Sequence, residues 1–113
     1  MSFEKGDWRS VFPRVQKENM EANLAFVDLL NRVAHDKQVT TAQVALAWIT
    51  AQRPWIVPIP GTTKIERMKE NTKAAEVILS AAELHAIADG ANNIEAKGTR
   101  YPETFMKDVD RKI

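Results

Sequence analysis

The sequence predicts a protein of the α/β class that is mainly helical with one short strand, and three observations carry that expectation. Thr41–Gln52 contains no charged residue; a helix that is apolar almost all round expects burial on more than one side. Trp55-Ile56-Val57 lies between Pro54 and Pro58 and runs through Ile59-Pro60-Gly61 into a helical pattern. A continuous apolar run closed by turn residues suits a buried strand, and strand–turn–helix is the signature of α/β proteins. No second strand-like run is present, and a lone strand makes no sheet. The chain therefore looks like part of a larger architecture.

Each element follows in order. Residues 1–17 mix Gly6, Pro13 and three aromatics without helical or strand period, which predicts an extended arm; Pro13 also biases Phe12 away from helix. Met20, Leu24, Val27, Leu30 and Val33 recur at helical spacing, so a first helix runs from Glu18 to about Lys37. Thr40 with Gln43 forms a capping-box spacing ahead of Thr41–Gln52. The strand is expected near 55–59, although Pro58 argues against full pairing. A third helix opens after Thr63 and runs to about Ala75. Ser80 and Glu83 cap a fourth, whose stripe is Leu84, Ile87, Ala88 and Ala91. Residues 94–113 are a tail with at most a short helix after Pro102. The expected organisation is thus one unit over 1–113: an arm over 1–17, helices over 18–93, and a tail over 94–113.

Composition narrows the function. The chain has 113 residues, the length of one modest domain, with 44% hydrophobic and 27% charged residues, which excludes a disordered chain. Sixteen Lys and Arg balance fifteen Asp and Glu, for a formal charge of +1. That balance gives no reason to expect nucleic acid or an anionic membrane as partner. A helix-turn-helix over 18–52 is disfavoured for the same reason, since Thr41–Gln52 offers no charge to phosphates. No apolar run approaches membrane-spanning length. Cysteine is absent, which removes disulfides and thiol chemistry and suits the cytoplasm. Met1–Trp8 lacks the layout of a signal peptide.

The segment Ile59-Pro60-Gly61-Thr62-Thr63-Lys64-Ile65-Glu66-Arg67 carries the most chemistry. It leaves an apolar run, turns, presents two hydroxyls and opens a helix bearing Lys64 and Arg67. Free N–H groups and the positive dipole end make a helix start an anion site, and a guanidinium reaching back one turn suits phosphate. The same residues also read as a threonine-capped helix with a solvated basic face. The spacing of a P-loop and the Gly-x-Gly-x-x-Gly fingerprint are both absent. Glu70 and Asn71 lie at i+3 and i+4 from Arg67 and share its face; a carboxylate beside an amide can read an adenine edge, or Arg67–Glu70 is a surface ion pair. His35 and His85 have no ligand-like spacing and are read as surface residues, so no metal site is expected. No serine or threonine has an evident base, and no acid–base pair stands out.

In those residues the chain resembles the C-terminal part of aldo-keto reductases. The likeness rests on Thr41-Ala42-Gln43-Val44-Ala45-Leu46-Ala47-Trp48-Ile49, on Trp55-Ile56-Val57-Pro58-Ile59-Pro60-Gly61-Thr62-Thr63-Lys64, and on Arg67 with Glu70-Asn71. Asp7-Trp8-Arg9-Ser10 with Pro13-Arg14, and Gly98-x-Arg100-Tyr101-Pro102, extend it to nearly the whole chain. The Ile-Pro-Gly-Thr-Thr-Lys turn is most like a bacterial branch of the family. The resemblance implies the last part of a (β/α)8 TIM barrel, with Trp55–Ile59 as eighth strand and Ser80–Asn93 as an extra C-terminal helix. Such a barrel typically needs about 250 residues.

The resemblance also implies a cofactor, NADP(H), whose adenine and 2′-phosphate end falls on Gly61, Thr62, Thr63, Lys64, Arg67, Glu70 and Asn71. Many members carry a lysine at the position of Gly61, so Lys64 is its expected substitute here. The family's catalytic Asp, Tyr, Lys and His match no residue of this chain, so no catalytic residue is assigned and the chain alone is expected to be inactive. Two functions from different classes follow. One is a fragment of an NADP(H)-dependent oxidoreductase of carbonyl and alcohol substrates. The other is a non-catalytic oligomerising module of the same fold. Expected partners are the nicotinamide cofactor, a second copy, or the missing N-terminal portion of the barrel.

Overall fold

The computed structural model describes residues 3–109. The described residues form five α-helices: α1 (Lys17–Lys37), α2 (Thr41–Gln52), α3 (Ile65–Lys73), α4 (Ala81–Asn92) and the short α5 (Glu103–Met106). Three 3-10 turns accompany them, Trp8–Val11, Pro13–Val15 and Ala74–Glu76. The backbone divides into two compact units, one built from residues 1–25 and 95–113, the other from 26–94.

The larger unit holds the core. Ala34 of α1, Val44 of α2 and Ile87 of α4 are buried together, and Leu30, Val33, Val39, Trp48 and Leu79 pack against them. The α1 stripe is only half used: Leu30 and Val33 reach this cluster, whereas Leu24 and Val27 stay open to solvent. Gly90 marks the approach of α4 to α1, because a Cβ there would meet Leu29 Cδ1 at 2.6 Å. Lys37 Nζ and Glu83 Oε2 add an ion pair at 3.0 Å between α1 and the first turn of α4.

The helix ends follow from local chemistry. Both expected capping boxes form: Thr40 Oγ1 accepts from Gln43 N and Ser80 Oγ from Glu83 N, each at 3.2 Å, while the Gln43 and Glu83 side chains accept from the cap N–H groups. The end of α1 is a Schellman motif that the charge pattern had not revealed. Gln38 sits at φ 58°, Val39 N donates to Ala34 O at 3.0 Å, and Gln38 N donates to His35 O at 3.2 Å.

The expected strand near 55–59 is not formed. Ile56 N donates to Arg53 O at 3.1 Å, closing a turn over Pro54 and Trp55, and no ladder exists among the described residues. A strand exists by pairing, and none of the described residues supplies a second extended segment to it. Its period nevertheless survives in exposure. Trp55 (73%), Val57 (79%) and Ile59 (92%) face solvent, while Ile56 and Pro58 are half-buried. The apolar helix α2 likewise buries one side only, through Gln43, Val44 and Ala47.

The smaller unit corrects the expectation of an extended arm. Asp7 Oδ1 accepts from Arg9 N at 2.9 Å and opens the first 3-10 turn, and Pro13 opens the second. Phe12 between them is extended at φ −77°, ψ 132°, as a residue before proline should be. The tail folds onto these turns. Asn23 Nδ2 donates to Lys97 O at 2.8 Å and Lys97 N donates to Asn23 Oδ1 at 2.7 Å. Gly98, at φ +81°, fits where a Cβ would lie 2.8 Å from Pro13 O. Phe12 stacks edge-on with Trp8 and Tyr101, at 4.9 and 5.6 Å between ring centres. Of the tail expected over 94–113, residues 110–113 lie outside the described residues.

Candidate functional site

The candidate residues lie on the link between the unpaired apolar segment and α3. Thr62 Oγ1 accepts from Lys64 N at 3.1 Å, a two-residue hydroxyl turn that delivers the chain into the helix. Lys64 is the N-cap residue, and no side chain caps the helix there. The first N–H groups of α3 therefore face outward beside Thr62 and Thr63, the polarity an anion prefers. Gly61 through Arg67 are all exposed. Gly61 stands in open space, with nothing within 4 Å of a Cβ built upon it.

Arg67 and Glu70 are paired one turn on. Arg67 Nη1 lies 2.9 Å from Glu70 Oε2, with the arginine side chain 64% exposed and the glutamate 16%. One guanidinium nitrogen is engaged and the rest of the fork is free for a second acceptor. The Glu70 carboxyl is held below the ordinary carboxylate range, first by a hydrogen bond from the Thr40 side chain and then by Arg67. Both partners favour the charged form. Glu70 O also accepts from Gln43 Nε2 at 2.9 Å, which ties α3 to the start of α2.

Thr62 and Asn71 belong to a different feature. They line a cavity of about 400 Å³ between α2, residues 57–62 and α3, together with Leu46, Val57 and Met68. Clefts of that size fall within the range of small-ligand pockets, about 300–1,000 Å³. Thr62 and Asn71 thus line one cavity and Arg67 pairs with Glu70, while Gly61, Thr63 and Lys64 are exposed and line no part of that cavity. Gln43 and Thr40 were not expected to touch the site. Their capping signal was legible, but the remaining donor on Gln43 points across 27 positions of chain. His35 and His85 are exposed. Among the described residues no three His, Asp or Glu gather as metal ligands, and no helix is long and apolar enough to cross a membrane.

The chain belongs to the aldo/keto reductase family, whose profile matches residues 3–91. It is 41% identical over 100 residues to aldo-keto reductase yakc of Schizosaccharomyces pombe, a protein whose name specifies NADP(+); the match covers 88% of this chain and 29% of that one. It is 35% identical over 109 residues to an aldo-keto reductase of Gibberella moniliformis, covering 96% and 33%. The chain therefore spans about a third of the length of the relatives it matches. No solved structure gives a significant match. Family membership implies descent from the TIM barrel, while the described residues are helices and turns without a barrel.

Proposed function

We propose that this chain is the C-terminal part of an NADP(H)-dependent oxidoreductase and carries the adenine and 2′-phosphate end of the cofactor site. One observation supports this above the others: Arg67 is held at the uncapped start of α3 by a single bond to Glu70, with most of its fork open to solvent. In this reading Arg67 and Lys64 face the 2′-phosphate, and the exposed Gly61, Thr62 and Thr63 supply room, hydroxyls and backbone N–H groups. Glu70 and Asn71 face the adenine, where an acceptor beside an amide matches the base edge. The residues fit the cofactor in charge and in donor type, since cations meet phosphate and an acceptor meets an exocyclic amine. Bound NADP(H) supplies the hydride that the family exchanges with carbonyl and alcohol substrates. This chain's residues bind and orient one end of it, and none is assigned to proton transfer. A cysteine-free chain also suits the reducing cytoplasm.

Titration of the chain with NADPH, with NADH alongside and Arg67→Ala as control, tests the proposal through the fluorescence of its three tryptophans. NADPH is expected to bind more tightly than NADH, and Arg67→Ala to erase most of the difference. Equal affinity for both cofactors, unchanged in Arg67→Ala, overturns it.

A second function is favoured by a different feature. Trp55, Val57 and Ile59 form an exposed apolar row that none of the described residues covers, and such rows drive association. In that reading the chain is a non-catalytic oligomerising module, and light scattering is expected to find a dimer. A monomer at all concentrations counts against it.

A further inference from the structure

We propose that two copies of this chain pair through residues 57–59 as antiparallel strands, related by a two-fold axis at Pro58; this rests on the oligomerising function given above. The residue before a proline favours the extended region, and Val57 and Ile59 precede Pro58 and Pro60. Neither Val57 nor Ile59 donates its N–H to an acceptor among the described residues. Pro58 and Pro60 have no N–H, and that of Ile56 is already engaged by Arg53 O at 3.1 Å. Every donor left over in 56–60 therefore lies on one edge of the segment. The side chains of the same two residues are the open ones, Val57 at 79% and Ile59 at 92% exposure.

A second copy fits this edge. Opposed residues of an antiparallel pair alternate between positions that exchange two N–H···O bonds and positions whose N–H and C=O point away. With Val57 set opposite Ile59 of the second copy, the two-fold repeats the pair as Ile59 opposite Val57, and four main-chain bonds form. Pro58 then faces its own equivalent in the outward-pointing position between them, where no N–H is called for. Pro60 faces Ile56 in the next such position. Sliding the register by two residues sets Ile59 against itself and Val57 against Gly61, which gives up both branched pairs. Charge permits the self-match as well. Residues 54–63 hold no charged side chain, so the segment brought against itself meets no like charge. The ladder stops where the chain turns at Trp55, and the register carries Gly61 of the second copy to that turn. Gly61 stands in open space, which leaves the indole room to lie across it, as aromatic side chains do over glycine on a neighbouring strand.

Area sets the strength. Covering Trp55, Val57 and Ile59 hides on the order of 300 Å² of apolar surface per copy, against about 800 Å² per partner in a stable interface. The main-chain bonds complete the contact, and the dimer is one that comes apart on dilution.

The chain has no cysteine, so single cysteines report the register. Opposed residues of a bonded pair have Cα atoms about 5.5 Å apart, within the span of a disulfide; diagonal neighbours lie about 7–8 Å apart. Val57→Cys and Ile59→Cys are oxidised with diamide, each alone and as an equimolar mixture, and covalent dimer is measured by non-reducing electrophoresis. Light scattering follows the unsubstituted chain and Trp55→Ala over a dilution series. The mixture is expected to give several times the covalent dimer of either variant alone, and Trp55→Ala to weaken the dimer about tenfold. A dimer that ignores Trp55→Ala, or whose cysteine variants crosslink to themselves as well as in the mixture or not at all, overturns the strand pairing and leaves the oligomerising function standing. A monomer at every concentration overturns both and leaves the apolar row to a different chain.

Discussion

Gly61 is the residue whose surroundings ask least of it. Its φ is not positive, and a side chain built there meets nothing within 4 Å. The position can therefore accept a lysine beside the start of α3, where a further cation strengthens an anion site. Gly61→Lys is expected to tighten NADPH binding several-fold and to leave NADH unchanged, with the gain shrinking as salt is raised; a titration at two ionic strengths checks it. Gln38 is the opposite case. It holds a left-handed conformation at φ 58° that side chains adopt at a cost of about 1 kcal/mol. Gln38→Gly keeps the Schellman bonds and is expected to raise stability by about that amount, measured by urea denaturation.

Among the elements, the starts of α2 and α4 were legible in the sequence because their causes are local. Thr40 with Gln43 and Ser80 with Glu83 are three residues apart, and each box forms as its spacing requires. What pairs distant segments was not legible. Asn23 and Lys97, which clasp the tail to the start of α1, look like ordinary polar residues until the fold brings them together. The segment 55–59 fails in the other direction: its composition asks for a strand, but pairing is a property of neighbours that the composition of one segment cannot supply. Likewise, the candidate residues on α3 could be picked from their spacing, whereas their anchoring by Gln43 depends on two helices meeting.

The box of α4 carries an electrostatic consequence at this same scale. The Glu83 carboxyl is held below the ordinary range, first by the Ser80 backbone N–H and then by Lys37. A lowered folded value stabilises above the unfolded one and is lost as pH falls through the folded one. Glu83→Gln should therefore reduce stability at neutral pH and leave little difference near pH 2. Denaturation curves at the two pH values test this, and a deficit that persists in acid would contradict it.

For the whole molecule, the balance between core and exposed apolar surface decides behaviour. The buried cluster is small, centred on Ala34, Val44 and Ile87, while Trp8, Trp55, Val57, Ile59 and Ile78 remain open. Small cores are marginal, and association is one way to stabilise them. The segment 54–60 also limits how far association can go. Proline has no N–H, and it occupies positions 54, 58 and 60. Ile56 spends its own N–H on Arg53. In an extended chain alternate residues donate to the same side. One edge can thus offer Trp55, Val57 and Ile59, and the other offers no donor. The segment is monovalent: it can recruit one neighbour and cannot template a growing stack. Pro58→Val would restore a donor to the silent edge, and it is expected to turn a finite assembly into fibrils that bind thioflavin.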